Sequence, residues 1–376
     1  MATSKMEGSN LDPNLVKIPV HKVGRPAEEL RRQYGLDAIA GLSTNENPLG
    51  PSPQAVEAIR EAMSDAHRYP GLCETELRAK IASLMGPQFD EDNIVVANGS
   101  SDILRLLCQA FLHDGGESVI CPVTFPLYRQ YTEMFGGEAA LVEARDYAYD
   151  LTAMAERIDR RTRLVFVCNP NNPTGLALSQ NQVDDFMRQI PDRVVTVFDE
   201  AYREYVEDGG YADVRSYVEE GRNVIVVRTF SKIYGLAGLR VGYGLARKEL
   251  AEYLMRGLSA FHVGSLNLIG AAASLDDQEH VRRSTEHNRE QRQCLYQEFD
   301  DLDIRYLATE GNFILLIELR RDTDRLWEAL VCRGVLVTKA AAFGVPDAIR
   351  VTIGTKEQNQ LLVRALKEAL LEVPEL

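Results

Sequence analysis

A lysine stands where an apolar strand should end. NVIVVRTFSK runs from Asn223 to Lys232, and its β-branched residues read as a buried strand opening into a loop at Ser231-Lys232. An ammonium group there loses hydration, which lowers its pKa and frees an amine able to condense with a carbonyl. A strand-end lysine that merely reaches solvent has the same local pattern, so its neighbours must decide. Asp199 closes a second apolar run, VVTVF, ahead of Glu200-Ala201-Tyr202. A carboxylate there needs a cation or hydrogen-bond donors, and either a ligand's protonated ring nitrogen or an internal arginine would serve. At Asn98-Gly99-Ser100-Ser101-Asp102, a strand gives way to the helical ILRLLCQAFL. Helix amides plus serine hydroxyls suit a phosphate, although an ordinary Ser or Asp N-cap reads the same way. NPNNPTG, Asn169 to Gly175, follows the run LVFVC and places paired amide side chains at a strand's carboxyl end, where open α/β sheets hold ligands. A tight turn explains its Pro and Gly but not its asparagines.

These segments need a scaffold that brings strand ends together. Apolar runs at Ile94–Ala97, Ser118–Cys121, Leu164–Cys168, Val194–Phe198 and Val224–Arg228 alternate with helical patterns. Continuous apolar strands separated by helices indicate a mostly parallel sheet covered on both faces. A short helical pattern spans Pro26 to Tyr34, and the turn-rich loop Leu42–Pro53 should open a helix at about Gln54. A charged stretch from Asp276 to Asp300 reads as an extended helix. After it FILLIEL, TDRLWEALVCRG, IRVTIG and a final helix suggest a smaller α+β unit. The expected division is an arm at 1–25, a large domain at 54–284, and a small domain from 26–53 with 285–376.

At 376 residues the chain exceeds most single cores. Its formal charge of −14 argues against sequence-independent nucleic-acid binding. The opening MATSKMEGSNLDPNLVK has no apolar core, and no run approaches the roughly eighteen apolar residues of a membrane span, so a cytoplasmic protein without a membrane partner is expected. Six scattered cysteines without a CxxC pair fit a reducing compartment, and the dispersed histidines suggest no metal site. No GxGxxG supports a dinucleotide-binding module.

A phosphate cradle, an amide, a carboxylate, a lysine and an arginine, in that order, resemble the pyridoxal-phosphate-dependent aminotransferases of fold type I. The likeness is greatest to the histidinol-phosphate aminotransferase branch of class I/II, over Pro26 to the C-terminus. STNENPLGPSP (Ser43–Pro53) and RTFSKIYGLAGLRVGYG (Arg228–Gly244) carry the resemblance. It implies an α/β fold of the aspartate-aminotransferase type, with a mostly parallel sheet in the large domain and a smaller α+β domain formed by both chain ends. It also implies the cofactor pyridoxal 5'-phosphate, and a homodimer with shared active sites. By position, Lys232 would carry the cofactor and move the proton, Asp199 would pair with the ring nitrogen, and Tyr202 and Asn172 would flank the ring's phenolic oxygen. Phe125 would stack on the ring, with Thr229 among the cofactor contacts. Ser100, Ser101, Ser231 and Arg240 would hold the phosphate, joined by Tyr69 from the neighbouring subunit. Arg350, in IRVTIGT, would clamp the substrate carboxylate, with Asn45 on the same side. The implied reaction transfers an amino group from an L-amino acid or amino-acid-like amine to a keto acid such as 2-oxoglutarate.

Three positions depart from that branch. His21 stands where a tyrosine is usual, His262 where an asparagine is usual, and Thr338 where an arginine is usual. All three belong to the substrate side, so together they argue against histidinol phosphate as substrate. The two histidines become candidate substrate contacts. The same scaffold also leaves open a lyase, decarboxylase or cyclase reaction.

Overall fold

The structure is a computed structural model, and it describes residues 12–20 and 27–375. His21 lies outside the described residues. Seven strands build the main sheet: β1 (Ile94–Ala97), β2 (Glu117–Ile120), β3 (Glu138–Leu141), β4 (Thr162–Cys168), β5 (Val195–Asp199), β6 (Val224–Thr229) and β7 (Gly242–Ala246). Their order is β1-β7-β6-β5-β4-β2-β3. Strand β7 runs antiparallel to both of its neighbours, and the other pairs are parallel. Because β7 is reversed between β1 and β6, its first residue lies at the edge where β1, β4, β5 and β6 end. Thr229, the last residue of β6, accordingly pairs with Gly242, the first of β7. One edge of the sheet therefore gathers the loops after β1, β4, β5 and β6, and the loop that leads into β7.

The apolar runs form strands where their patterns place them, and β1, β2 and β5 are buried throughout. Two strands lack such a pattern. EAAL (β3) is a half-exposed edge strand, and GYGLA (β7) is rich in glycine, a poor strand former. The helix after β1 begins at Ser100 rather than beyond Asp102, with Gly99 as its N-cap at φ 81°. Ser52 caps the helix Pro53–Ala62, accepting from the Ala55 amide at 3.2 Å.

A second, antiparallel sheet has the order β10-β11-β9-β8, built from β8 (Tyr306–Leu307), β9 (Phe313–Leu316), β10 (Thr338–Lys339) and β11 (Ile349–Thr352). Among the described residues two larger hydrophobic cores result, with a small third cluster of Leu315, Ile317, Ala340, Val345 and Ala348. The larger draws on residues between Ala55 and Leu275 together with Phe313. The second combines Ala40 and Leu42 with residues between Leu295 and Ala369. Ala40–Gly41 joins that second body by pairing parallel with Val335–Leu336. The helix Gln278–Asp301 connects the two bodies, burying His280, Ser284, Asn288, Arg292, Leu295 and Phe299 at helical spacing. Its polar half is tied to the large body, where Asn47 Nδ2 donates to Ser284 Oγ at 2.8 Å and Arg292 pairs with Glu207 at 2.6 Å. Its apolar end enters the second core. Among the described residues no helix is long and apolar enough to cross a membrane.

Candidate active site

The loops at that sheet edge and the segment Ser43–Glu46 enclose a cavity of about 530 Å³. Its wall includes Asn45, Ser100, Ser101, Phe125, Asn172, Asp199, Tyr202, Thr229, Ser231, Lys232, Arg240 and Arg350. These residues span more than three hundred positions of sequence, and the main sheet's edge, the Ser43–Glu46 segment and the second sheet together bring them to one place.

Lys232 follows β6 and donates from Nζ to the Thr44 carbonyl at 2.8 Å. Burial, helped by the Arg350 guanidinium, pulls its pKa down to about 7, against the opposing pull of Glu46 and Asp199. Its ammonium lies 5.7 Å from the Tyr202 ring centroid. Asp199 ends β5, is 3% exposed, and receives the Tyr128 hydroxyl on Oδ2 at 2.7 Å. Oδ1 is buried and without a hydrogen-bond partner. Burial raises the Asp199 pKa to about 6, while the Tyr128 hydrogen bond works in the opposite direction. An unmet, buried acceptor of this kind suits a cationic N–H from a ligand. The neighbouring Glu200 takes the other course open to a strand-end acid, pairing with Arg228 at 2.7 Å.

No side chain caps the helix Ser100–Phe111, so its first amides are left to meet an anion. Arg240 lies over this helix start and donates from Nη1 to Ser231 Oγ at 3.1 Å. Two glycines make the approach possible. A Cβ on Gly99 would stand 2.4 Å from Arg240 Nη2, and one on Gly242 would stand 2.2 Å from the Ser100 nitrogen. Thr229 Oγ1 accepts from the Ser231 amide at 3.1 Å, fixing the turn that presents both Ser231 and Lys232.

On the opposite wall, Arg350 of β11 donates to Asn172 Oδ1 at 2.5 Å and to the Ser43 carbonyl at 2.7 Å, while its buried Nε has no partner. The guanidinium lies 4.8 Å from the Phe343 ring centroid. Asn45 is buried in a left-handed conformation (φ 56°) and donates to the Tyr202 hydroxyl at 3.0 Å. Its Oδ1 accepts from Thr352 Oγ1 at 3.0 Å. Thr338 lines the cavity and donates to the Ser43 carbonyl at 2.7 Å. Lys339, its successor, points outward to Asp324 at 2.7 Å, as strand alternation requires.

Two expected residues do not line this cavity. His262, a candidate substrate contact, holds its ring against main chain, with Nε2 2.9 Å from the Val96 oxygen and Nδ1 3.2 Å from the Ser259 oxygen. Tyr69 is 77% exposed and stacks on Phe261 at 4.5 Å, outside the cavity of its own chain. Tyr128, Phe343 and the carbonyls of Ser43 and Thr44 belong to the site but were not read from the sequence. Tyr128 sits three residues after Phe125, one helical turn on, which was the one available signal.

The sequence model of the family described as Aminotransferase class I and II matches residues 37–366. The histidinol-phosphate aminotransferase of Moorella thermoacetica is 43% identical over 358 residues, covering 95% of this chain and 92% of that one. The crystal structure of histidinol-phosphate aminotransferase from Sinorhizobium meliloti, in complex with pyridoxal-5'-phosphate, superposes with a TM-score of 0.88 at 26% identity, covering 97% and 98% of the two chains. Aspartate aminotransferase from Thermus thermophilus with maleate superposes with a TM-score of 0.84 at 21% identity, over 96% of this chain and 100% of that one, a likeness of fold. With sequence and fold agreeing over nearly its whole length, the chain belongs to the class I and II aminotransferases.

Proposed function

We propose that this chain is a pyridoxal-phosphate-dependent aminotransferase that moves an amino group from an L-amino acid, or an amine resembling one, to a keto acid. The observation that carries this reading is the meeting, in one cavity, of a lysine lowered to about 7 with a buried carboxylate lacking a partner on Oδ1 and an uncapped helix start beneath an arginine. The cofactor fits that set. Asp199 Oδ1 suits its ring N–H, Ser100, Ser101, Ser231 and Arg240 suit its phosphate, Phe125 offers a face for its ring, and Tyr202 and Asn172 suit its phenolic oxygen. When bound, it supplies an aldehyde and an electron-withdrawing ring that stabilises negative charge on the donor's α-carbon.

The side chains of this protein do the rest. Lys232, in good part a free amine at neutral pH, is the nucleophile and then the group that carries the α-proton. Arg350 holds the donor's carboxylate through its planar fork. Asn45 acts through Tyr202, orienting its hydroxyl.

On the substrate side, Thr338 is the departure that lines the cavity of its own chain, and His262 lies outside that cavity. Within one chain's cavity, the case against histidinol phosphate rests on Thr338. The relatives' name makes histidinol phosphate the first donor to test, beside a panel of L-amino acids. A lyase, decarboxylase or cyclase reaction is not favoured, because the relatives described above are aminotransferases. The exposed Tyr69–Phe261 pair supports a homodimer in which Tyr69 serves the partner's phosphate. Six free cysteines support a reducing, cytoplasmic setting.

The test is a donor screen on the cofactor-loaded protein. The visible absorbance should bleach in a single turnover with the true donor and return when a keto acid is added. Sustained product formation without a keto acid would refute transamination, and a Lys232→Ala protein that still turns over would refute the role of the lysine.

A further inference from the structure

The Asp199 carboxylate is held from behind by one side chain. Tyr128 is fully buried, and its hydroxyl donates to Asp199 Oδ2 at 2.7 Å. The phenol is itself fixed. Its ring stacks on Phe166 at 4.8 Å with an interplanar angle of 8°, and meets Phe125 edge-on at 5.7 Å. Tyr128 lies in the first turn of the helix Leu127–Met134, which starts directly after Phe125-Pro126. Just upstream, Thr124 Oγ1 donates to Asn171 Oδ1 at 2.8 Å, next to Asn172. The five residues Thr124 to Tyr128 thus touch three parts of the cofactor half: the ring platform, the carboxylate, and the asparagine loop.

We propose that Tyr128 is a positioning residue for the cofactor, anchoring Asp199 by Oδ2 so that Oδ1 faces the ring nitrogen as an ionised acceptor. This rests on the pyridoxal-phosphate reading above. Without the Tyr128 donor, this buried carboxylate would keep only the Ala201 backbone N–H and the Lys232 charge against its desolvation, and would more readily take up a proton and become a poor partner for a pyridinium. Burial and the adjacent Asp199 charge push the Tyr128 phenol well above its ordinary range, so it stays a donor at every working pH. Phe at this position keeps the stacking and removes only the hydrogen bond.

The test compares wild type with Tyr128→Phe. In the apoprotein, the Asp199 carboxyl pKa is followed by 13C NMR, its signal assigned with Asp199→Asn. Tyr128→Phe should raise that pKa by about one unit and weaken pyridoxal phosphate binding, read by fluorescence quenching, by about tenfold. In the loaded enzyme kcat should fall while the donor KM stays within a factor of about two, since Arg350 is untouched. Fluorotyrosine at position 128, a more acidic phenol and a stronger donor, should shift the Asp199 pKa the other way, and it guards against misfolding of the Phe variant. An Asp199 pKa that moves in neither variant would overturn the proposal. If wild type binds no pyridoxal phosphate, the cofactor reading fails, while the apoprotein titration still decides whether Tyr128 anchors Asp199.

Discussion

Arg350 keeps one nitrogen on Asn172 and another on the Ser43 carbonyl, and its guanidinium lies against Phe343. A lysine cannot reproduce that planar fork. Arg350→Lys should lower kcat/KM for carboxylate-bearing donors by about a hundredfold, mostly through KM, with the bound-cofactor spectrum unchanged. Lys232 gives a second expectation. Its pKa falls from 10.5 to about 7, so it is an ammonium below that pH and a free amine above it. The rate at which apoprotein takes up pyridoxal phosphate, followed by visible absorbance, should rise with pH through about 7 and level off by about 8. A rise delayed to the ordinary lysine range would show that burial does not set this amine. At this scale the sequence was legible wherever chemistry depends on side-chain type and neighbouring residues, as at Lys232, Asp199 and Ser100. It was silent on the Ser43 and Thr44 oxygens, because any residue offers a carbonyl. Nor does it say which way the His262 ring turns, because position along the chain carries no side-chain orientation.

Strands β1 and β7 meet where a helix start, an arginine turn and two glycines crowd together. Gly242→Ala would drive its Cβ into the Ser100 amide, so the cradle must shift. The expected outcome is a loss of about 1–3 kcal/mol in unfolding free energy together with weaker binding of pyridoxal phosphate than of its phosphate-free aldehyde, relative to wild type. Equal losses for the two aldehydes would argue against a phosphate cradle at this junction. Behind the same edge, Glu200, directly after β5, and Arg228 within β6 form a buried pair. Arg228→Met leaves that carboxylate unpaired and should cost about 3–5 kcal/mol in chemical denaturation. The apolar runs revealed five strands because burial on both faces requires them to be apolar. Strands β3 and β7 escaped notice. One sits half-exposed at the sheet edge, and the other gave up side chains so that Ser100 and Gly99 could approach.

The two larger hydrophobic cores share one cavity, and the chain enters the second of them twice, once through Ala40–Leu42 and again after Leu295. The sequence showed this return only through its mixed C-terminal pattern, because a two-residue strand at Ala40–Gly41 has no periodicity to read. If Tyr69 serves a partner's site, Tyr69→Ala and Lys232→Ala chains should complement each other. Refolded together, they should show tighter cofactor retention and higher activity than either variant alone, and sedimentation should report a dimer. Activity no greater than the average of the two variants would rule out shared sites. The lowered basicity of Lys232 also has a cost for the molecule as a whole. The cavity opens to solvent, and at neutral pH it presents a nucleophile that cannot tell its own cofactor from other small aldehydes or acylating agents. The unloaded chain is therefore open to covalent damage that the loaded chain resists. Prompt loading after folding protects the protein as well as equipping it, and apoprotein stored with a reactive carbonyl compound should lose its capacity for reconstitution.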